Sequence, residues 1–106
     1  MAKLTTILLV SLWFVMSASQ ALAYSATDLA DMNRAGGCDK KFADGYILGI
    51  AESLTQHESL AFPARMTYDK ILASVYWYIS SNPEVDQEPA SVVVENALRE
   101  AYFKKN

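Results

Sequence analysis

An all-α fold, a small bundle of about four to five helices, follows from three features of this 106-residue sequence. Two segments, 71–79 and 90–101, place their apolar residues at i, i+3, i+4 spacing, the period of one buried helix face. Strong breakers, Gly36-Gly37 and Ser80-Ser81-Asn82-Pro83, fall between the periodic stretches and divide the chain into helix-length pieces. No hairpin signal occurs. The one strand-like run, Val92 to Val94, continues into an alanine-rich stretch that favours helix.

The first element is a leader. Lys3 supplies a positive start, residues 7–16 (ILLVSLWFVM) form an apolar core broken only by Ser11, and Ala21-Leu22-Ala23 offers the small-x-small pattern of a cleavage site. That core is about half the roughly 20 apolar residues a membrane-spanning helix needs. Residues 1–23 therefore read as a cleaved signal peptide. Residues 24–106 are expected to form a single helical domain, exported across the inner membrane and without stable membrane association afterwards. Roughly 80 residues suffice for one domain with a thin core. Cys38 is the only cysteine, so no disulfide can form within the chain. A thin core with no such staple favours a homodimer.

Residues 24–34 are short and polar, with Leu29 and Met32 at i, i+3; Thr27 and Asp28 begin a brief helix that Gly36-Gly37 ends. The second helix runs from Asp39, its N-cap, to about Gln56. Phe42, Tyr46, Gly49, Ile50 and Ser53 share one face of it, flanked by Ile47 and Leu54. Gly45 and Gly49 stack four apart, where each costs roughly 1 kcal/mol relative to alanine. Such a cost fits close approach of another helix, the alternative being that the glycines are merely tolerated there. After a loop holding His57, Glu58 and Pro63, Thr67 caps a third helix with Asp69 in its first turn, where the helix dipole favours an anion. Ile71, Leu72, Val75, Tyr76 and Ile79 form its apolar stripe; Trp77 and Tyr78 lie partly off it and read as core aromatics rather than a ligand cage. Residues 83–88 (PEVDQE) connect to a fourth helix with Pro89 at its first position. Ala90, Val93, Val94, Ala97, Leu98 and Ala101 face inward there, and Glu95–Arg99 and Glu100–Lys104 are i, i+4 pairs.

The whole chain carries a net charge of −3, which becomes −4 once the leader and its single charge, Lys3, are removed. This acidity argues against nucleic acid and anionic membranes as partners; it fits a basic protein partner, and solubility alone explains it equally well. Catalysis and cofactor chemistry find little footing. One histidine (His57) and one thiol (Cys38) cannot complete a tetrahedral metal site, and no third group orients them as a nucleophile and base. Glu84, Asp86 and Glu88 alternate by two, but the glycine and distal glutamate of a calcium loop are missing. No phosphate-binding glycine loop is present. The sequence reads as a non-enzymatic binder without cofactor or metal.

Gly45-Tyr46-Ile47-Leu48-Gly49-Ile50-Ala51, then Phe62-Pro63, Thr67, Tyr76, Asn82-Pro83-Glu84, Pro89-Ala90, Val93 and Ala97-Leu98 occur in the order and spacing of a known family. The pattern resembles the Rap/Tai immunity proteins, which protect bacteria against type VI secretion amidase toxins. The resemblance spans about residues 39–102. It implies an all-helical periplasmic homodimer that occludes the substrate groove of a cognate peptidoglycan amidase with a loop. The two candidate loops are residues 56–60 (QHESL), with His57, Glu58 and Ser59, and residues 83–88, with Glu84, Asp86 and Glu88. A carboxylate from either would pair with the toxin's catalytic histidine. Members of the family commonly carry cysteines just before the loop proline and near the C-terminus; this chain has Phe62 and the Tyr102-Phe103 region there, so that disulfide does not carry over. The alternative from another class is a small periplasmic acid-stress chaperone, which would bind clients broadly at low pH.

Overall fold

The computed structural model describes residues 24–103, so the expectations for the leader and for Lys104 lie outside the described part. Four α-helices follow one another: α1 (Ala26–Ala35), α2 (Gly37–His57), α3 (Tyr68–Ser81) and α4 (Ala90–Tyr102), with a 3-10 turn at Pro83–Val85 before α4. Every helix packs on the other three. The fold is an all-α four-helix globule, as the apolar periodicity predicts.

The starts of α1 and α3 are fixed by side chains that accept from their first N–H groups. Ser25 and Asp28 form a reciprocal capping box on α1: the Asp28 N–H donates to Ser25 Oγ (3.2 Å) and the Ser25 N–H to Asp28 Oδ2 (2.9 Å). The start thus lies earlier than the sequence reading placed it. Gly36 and Gly37 take positive φ (72° and 57°), which lets α2 begin at once after α1. Consequently α2 starts at Gly37 rather than Asp39, which instead sits in the first turn where the dipole favours its charge. Thr67 caps α3 by accepting from the Lys70 N–H (3.2 Å). Pro89 occupies the N-cap of α4 rather than its first turn.

The core draws Leu29 from α1, Ile71, Val75 and Ile79 from α3, and Val93, Val94, Ala97 and Leu98 from α4. Burying each larger aliphatic contributes about 1.5–3 kcal/mol. The stripes of α3 and α4 are those expected, except that Ala101 is exposed. On α2 the expected face is wrong. Ala43, Ile47, Ala51 and Leu54 are buried, whereas Phe42 is half exposed and Gly49 and Ser53 face solvent. A Cβ at Gly45 or Gly49 would meet nothing within 4 Å, so no helix of this chain approaches them closely. Ala43 and Ala51 are buried in their place, and side chains this small let neighbouring helices lie close.

The α2–α3 loop is held at two points. Glu58 pairs with Arg99, which also pairs with Glu95, as expected for that i, i+4 couple. Phe62 packs edge-on against Tyr102 (ring centroids 5.5 Å) and against Phe103 (4.9 Å). These are the positions at which the resemblance expects cysteines. An aromatic clasp thus ties the loop to the end of α4.

Candidate functional site

The acidic connection 83–88 is a rigid turn. The Val85 side chain is buried, and its N–H donates to the Asn82 carbonyl (3.0 Å). The Asp86 N–H reaches the Pro83 carbonyl (3.2 Å), and the Glu88 N–H the Val85 carbonyl (2.9 Å). The start of α1 then clamps it from the side. The Asp86 carbonyl accepts from both the Thr27 N–H (3.1 Å) and Thr27 Oγ1 (2.9 Å), and the Glu88 carbonyl from the Ala26 N–H (3.1 Å). Two orphan donors of the α1 N-terminus are satisfied by the turn, and the turn is fixed by them. Next to this clamp, the Ala90 N–H donates to the Tyr24 carbonyl (2.8 Å), while the Tyr24 ring packs on Phe42 and Tyr46.

With its backbone committed inward, the turn shows its acids outward. Glu84 and Glu88 are exposed and Asp86 is half-buried. Their influence is visible at Tyr78, whose phenol is pushed above its ordinary value first by partial burial and then by the charges of Glu100, Glu88 and Glu84.

The second candidate loop is differently placed. His57 closes α2, Glu58 caps it, and Ser59 adopts a positive φ of 55°. All three are exposed. The Glu58 carboxylate is engaged by Arg99, whose guanidinium is held further toward its charged form by Glu95 and Glu58. Arg99 lies far along α4 from the acidic turn: at ~1.5 Å per residue, about 14 Å of helix separates it from Ala90. Glu84, Asp86 and Glu88 therefore form one surface, and His57, Glu58 and Ser59 another toward the opposite end of the bundle. Cys38 and His57 stand at the two ends of α2, roughly 28 Å apart by the same rise, so they cannot act as a dyad. Among the described residues, no group of His, Cys, Asp or Glu side chains is arranged to hold a metal ion.

One surface residue was missed by the sequence reading. Trp77 is 68% exposed rather than part of the core. It stands on the outward side of α3 between two grooves, one of about 540 Å³ toward α1 and one of about 480 Å³ toward α4. The groove toward α1 ends at Pro83 and Asp86, so the indole adjoins the acidic turn. Its position off the α3 stripe was the only signal in the sequence. Tyr76 does pack inward: its hydroxyl donates to Asp44 Oδ1 (2.7 Å), and Lys40 both pairs with Asp44 and lies over the ring.

Among the described residues no helix is long and apolar enough to cross a membrane. No curated protein and no solved structure matches the chain. A family model does, over residues 17–102, which is most of the sequence and all four helices. The chain thus belongs to the Rap1a immunity protein family, whose members are non-enzymatic inhibitors that guard a cell against a cognate toxin.

Proposed function

We propose that the mature chain, released by cleavage after Ala23, works in the periplasm as a homodimer that occludes the active-site groove of a type VI-secreted peptidoglycan amidase. The inhibitory element is the turn 83–88. The observation that carries this reading is the clamp of Thr27 on the Asp86 carbonyl, which fixes a carboxylate-bearing turn before any partner arrives. A preorganised segment loses little entropy on binding, which favours a tight complex. Glu84, Asp86 and Glu88 supply acceptors for a catalytic histidine or a basic groove wall, where water exclusion strengthens charge-assisted hydrogen bonds. The loop 56–60 is the weaker candidate, because Glu58 would first have to leave Arg99. Family membership favours immunity over the chaperone alternative.

Cleavage after Ala23 would leave Tyr24 in the mature chain, where its carbonyl receives the Ala90 N–H. The half-exposed Phe42 beside the outward glycines of α2 gives a second copy an apolar face to cover. The test is light scattering after size exclusion on the mature chain, alone and mixed with a candidate type VI-secreted amidase from the same genome. A dimer that forms a stoichiometric complex and abolishes cell-wall hydrolysis is the expected result. A chain that ignores that amidase refutes the assignment of an amidase as its target.

A further inference from the structure

Trp77 is the most exposed large apolar side chain of the described fold and the only tryptophan beyond the leader. Exposed indoles are costly in water, and tryptophan is among the residues that most often dominate binding energy at protein interfaces. Its surroundings are those of an anchor site. On the α4 side the groove has a floor of small residues, Ala73, Ala97 and Ala101, flanked by Tyr78 and edged by Glu100. On the α1 side the second groove runs to Pro83 and Asp86 of the acidic turn. The indole, the alanine floor and the turn therefore make one continuous surface. Its acids gather on the α4 side, where Glu100 edges the groove and Glu84 and Glu88 act with it on the Tyr78 phenol, while Arg34, the cation of the α1-side groove, is paired with Asp31.

We propose that Trp77 and the α3/α4 groove are the apolar anchor of the toxin interface, and that they receive a cationic, partly apolar segment of the toxin. An arginine or lysine of that segment lays its stem across the indole and turns its charge toward Glu84, Glu88 and Glu100. The aromatic face attracts the cation, the aliphatic stem covers apolar surface, and the alanine floor leaves room for a neighbouring side chain. Acidic turn and indole then divide the work: the turn occludes, and the anchor sets affinity and partner choice. This inference rests on the toxin-binding reading above.

The test compares mature wild-type protein with W77A, W77F and E100K, each titrated calorimetrically into a purified type VI-secreted amidase from the same genome. Because Trp77 is exposed, W77A should keep the wild-type circular dichroism and urea midpoint. Its affinity is expected to fall at least about 30-fold, with W77F intermediate. E100K should also weaken binding, with a reduced sensitivity to salt. Wild-type binding with W77A unimpaired overturns the anchor while leaving the toxin-binding reading intact. Conversion of a dimer to a monomer by W77A, at unchanged toxin affinity, also overturns it and assigns the groove to a second copy of the chain. Failure of the wild-type protein to bind at all removes both proposals together.

Discussion

Replacing Thr27 by valine isolates the clamp on the acidic turn. Thr27 Oγ1 donates to the Asp86 carbonyl at 2.9 Å, across 59 residues of sequence, from a half-buried position. Valine keeps the branched shape and removes only the hydroxyl. The Asp86 carbonyl is not left without a donor, because the Thr27 backbone N–H still reaches it at 3.1 Å. No orphaned acceptor is created, so the loss is one ordinary hydrogen bond, about 1 kcal/mol net. In a domain of this size that corresponds to a fall of about 4–8 °C in Tm. The local effect should exceed the global one. The Asp86 and Glu88 N–H groups, which bond within the turn, should exchange with solvent faster in T27V, while those in the middle of α3 slow or quicken only with global stability. Thermal unfolding followed at 222 nm and native-state hydrogen exchange measure the two effects. An unchanged Tm with unchanged exchange in the turn would show that the hydroxyl does not hold it. A loss beyond about 3 kcal/mol would show that Thr27 supports the core rather than the turn.

Other consequences follow from the packing. Gly45→Ala with Gly49→Ala should raise stability by about 0.5–1 kcal/mol each, since both sites are helical, exposed and open to a Cβ; urea unfolding reads the gain. Loss of dimer in that double variant, seen by light scattering, would locate a partner helix on this face. Phe62→Ala should cost about 1–3 kcal/mol and loosen the α2–α3 loop, because the half-buried ring clasps Tyr102 and Phe103; limited proteolysis within residues 58–66 reports the loosening. The Tyr76 phenol is held well above its ordinary value of 10.0 by burial and by its bond to Asp44. The unfolded chain ionises this group near pH 10 while the folded chain does not. Its contribution is therefore complete below pH 10 and is lost as pH rises beyond it. Tm measured from pH 8 to 11 should fall more steeply for the wild type than for Y76F.

Much of the fold is legible in the sequence because two helices have unambiguous stripes. Ile71, Val75 and Ile79, and then Val93, Val94, Ala97 and Leu98, have few apolar rivals at other angles, and the Gly36-Gly37 corner announces itself. The face of α2 is not legible in the same way. That helix has apolar residues around much of its circumference, and reading large side chains as inward selected Phe42 and Tyr46 over Ala43 and Ala51. Packing chose the alanines, since small residues let neighbouring backbones come close. The acidic turn is visible as a run of carboxylates, but its rigidity depends on Thr27, which no local pattern links to Asp86. Trp77 is similarly hidden. An aromatic at the edge of a stripe packs inward or stands out according to how its neighbours are tilted, and that tilt arises only when α1 and α4 are docked. The pairing of Phe62 with Tyr102 and Phe103 emerges at the same stage, where distant segments meet.

The central claim, that the turn 83–88 inhibits a toxin, is tested most directly by titrating a type VI-secreted amidase from the same genome with wild-type protein and with E84A/D86A/E88A. Hydrolysis of isolated peptidoglycan is the readout, and each variant is first shown to be folded. The backbone clamp uses main-chain carbonyls and Thr27, so the triple variant should fold normally. The wild type should abolish hydrolysis at a stoichiometric ratio, and the triple variant should leave most of it at the same ratio. Equal inhibition by both would contradict the account and move the inhibitory surface away from these carboxylates.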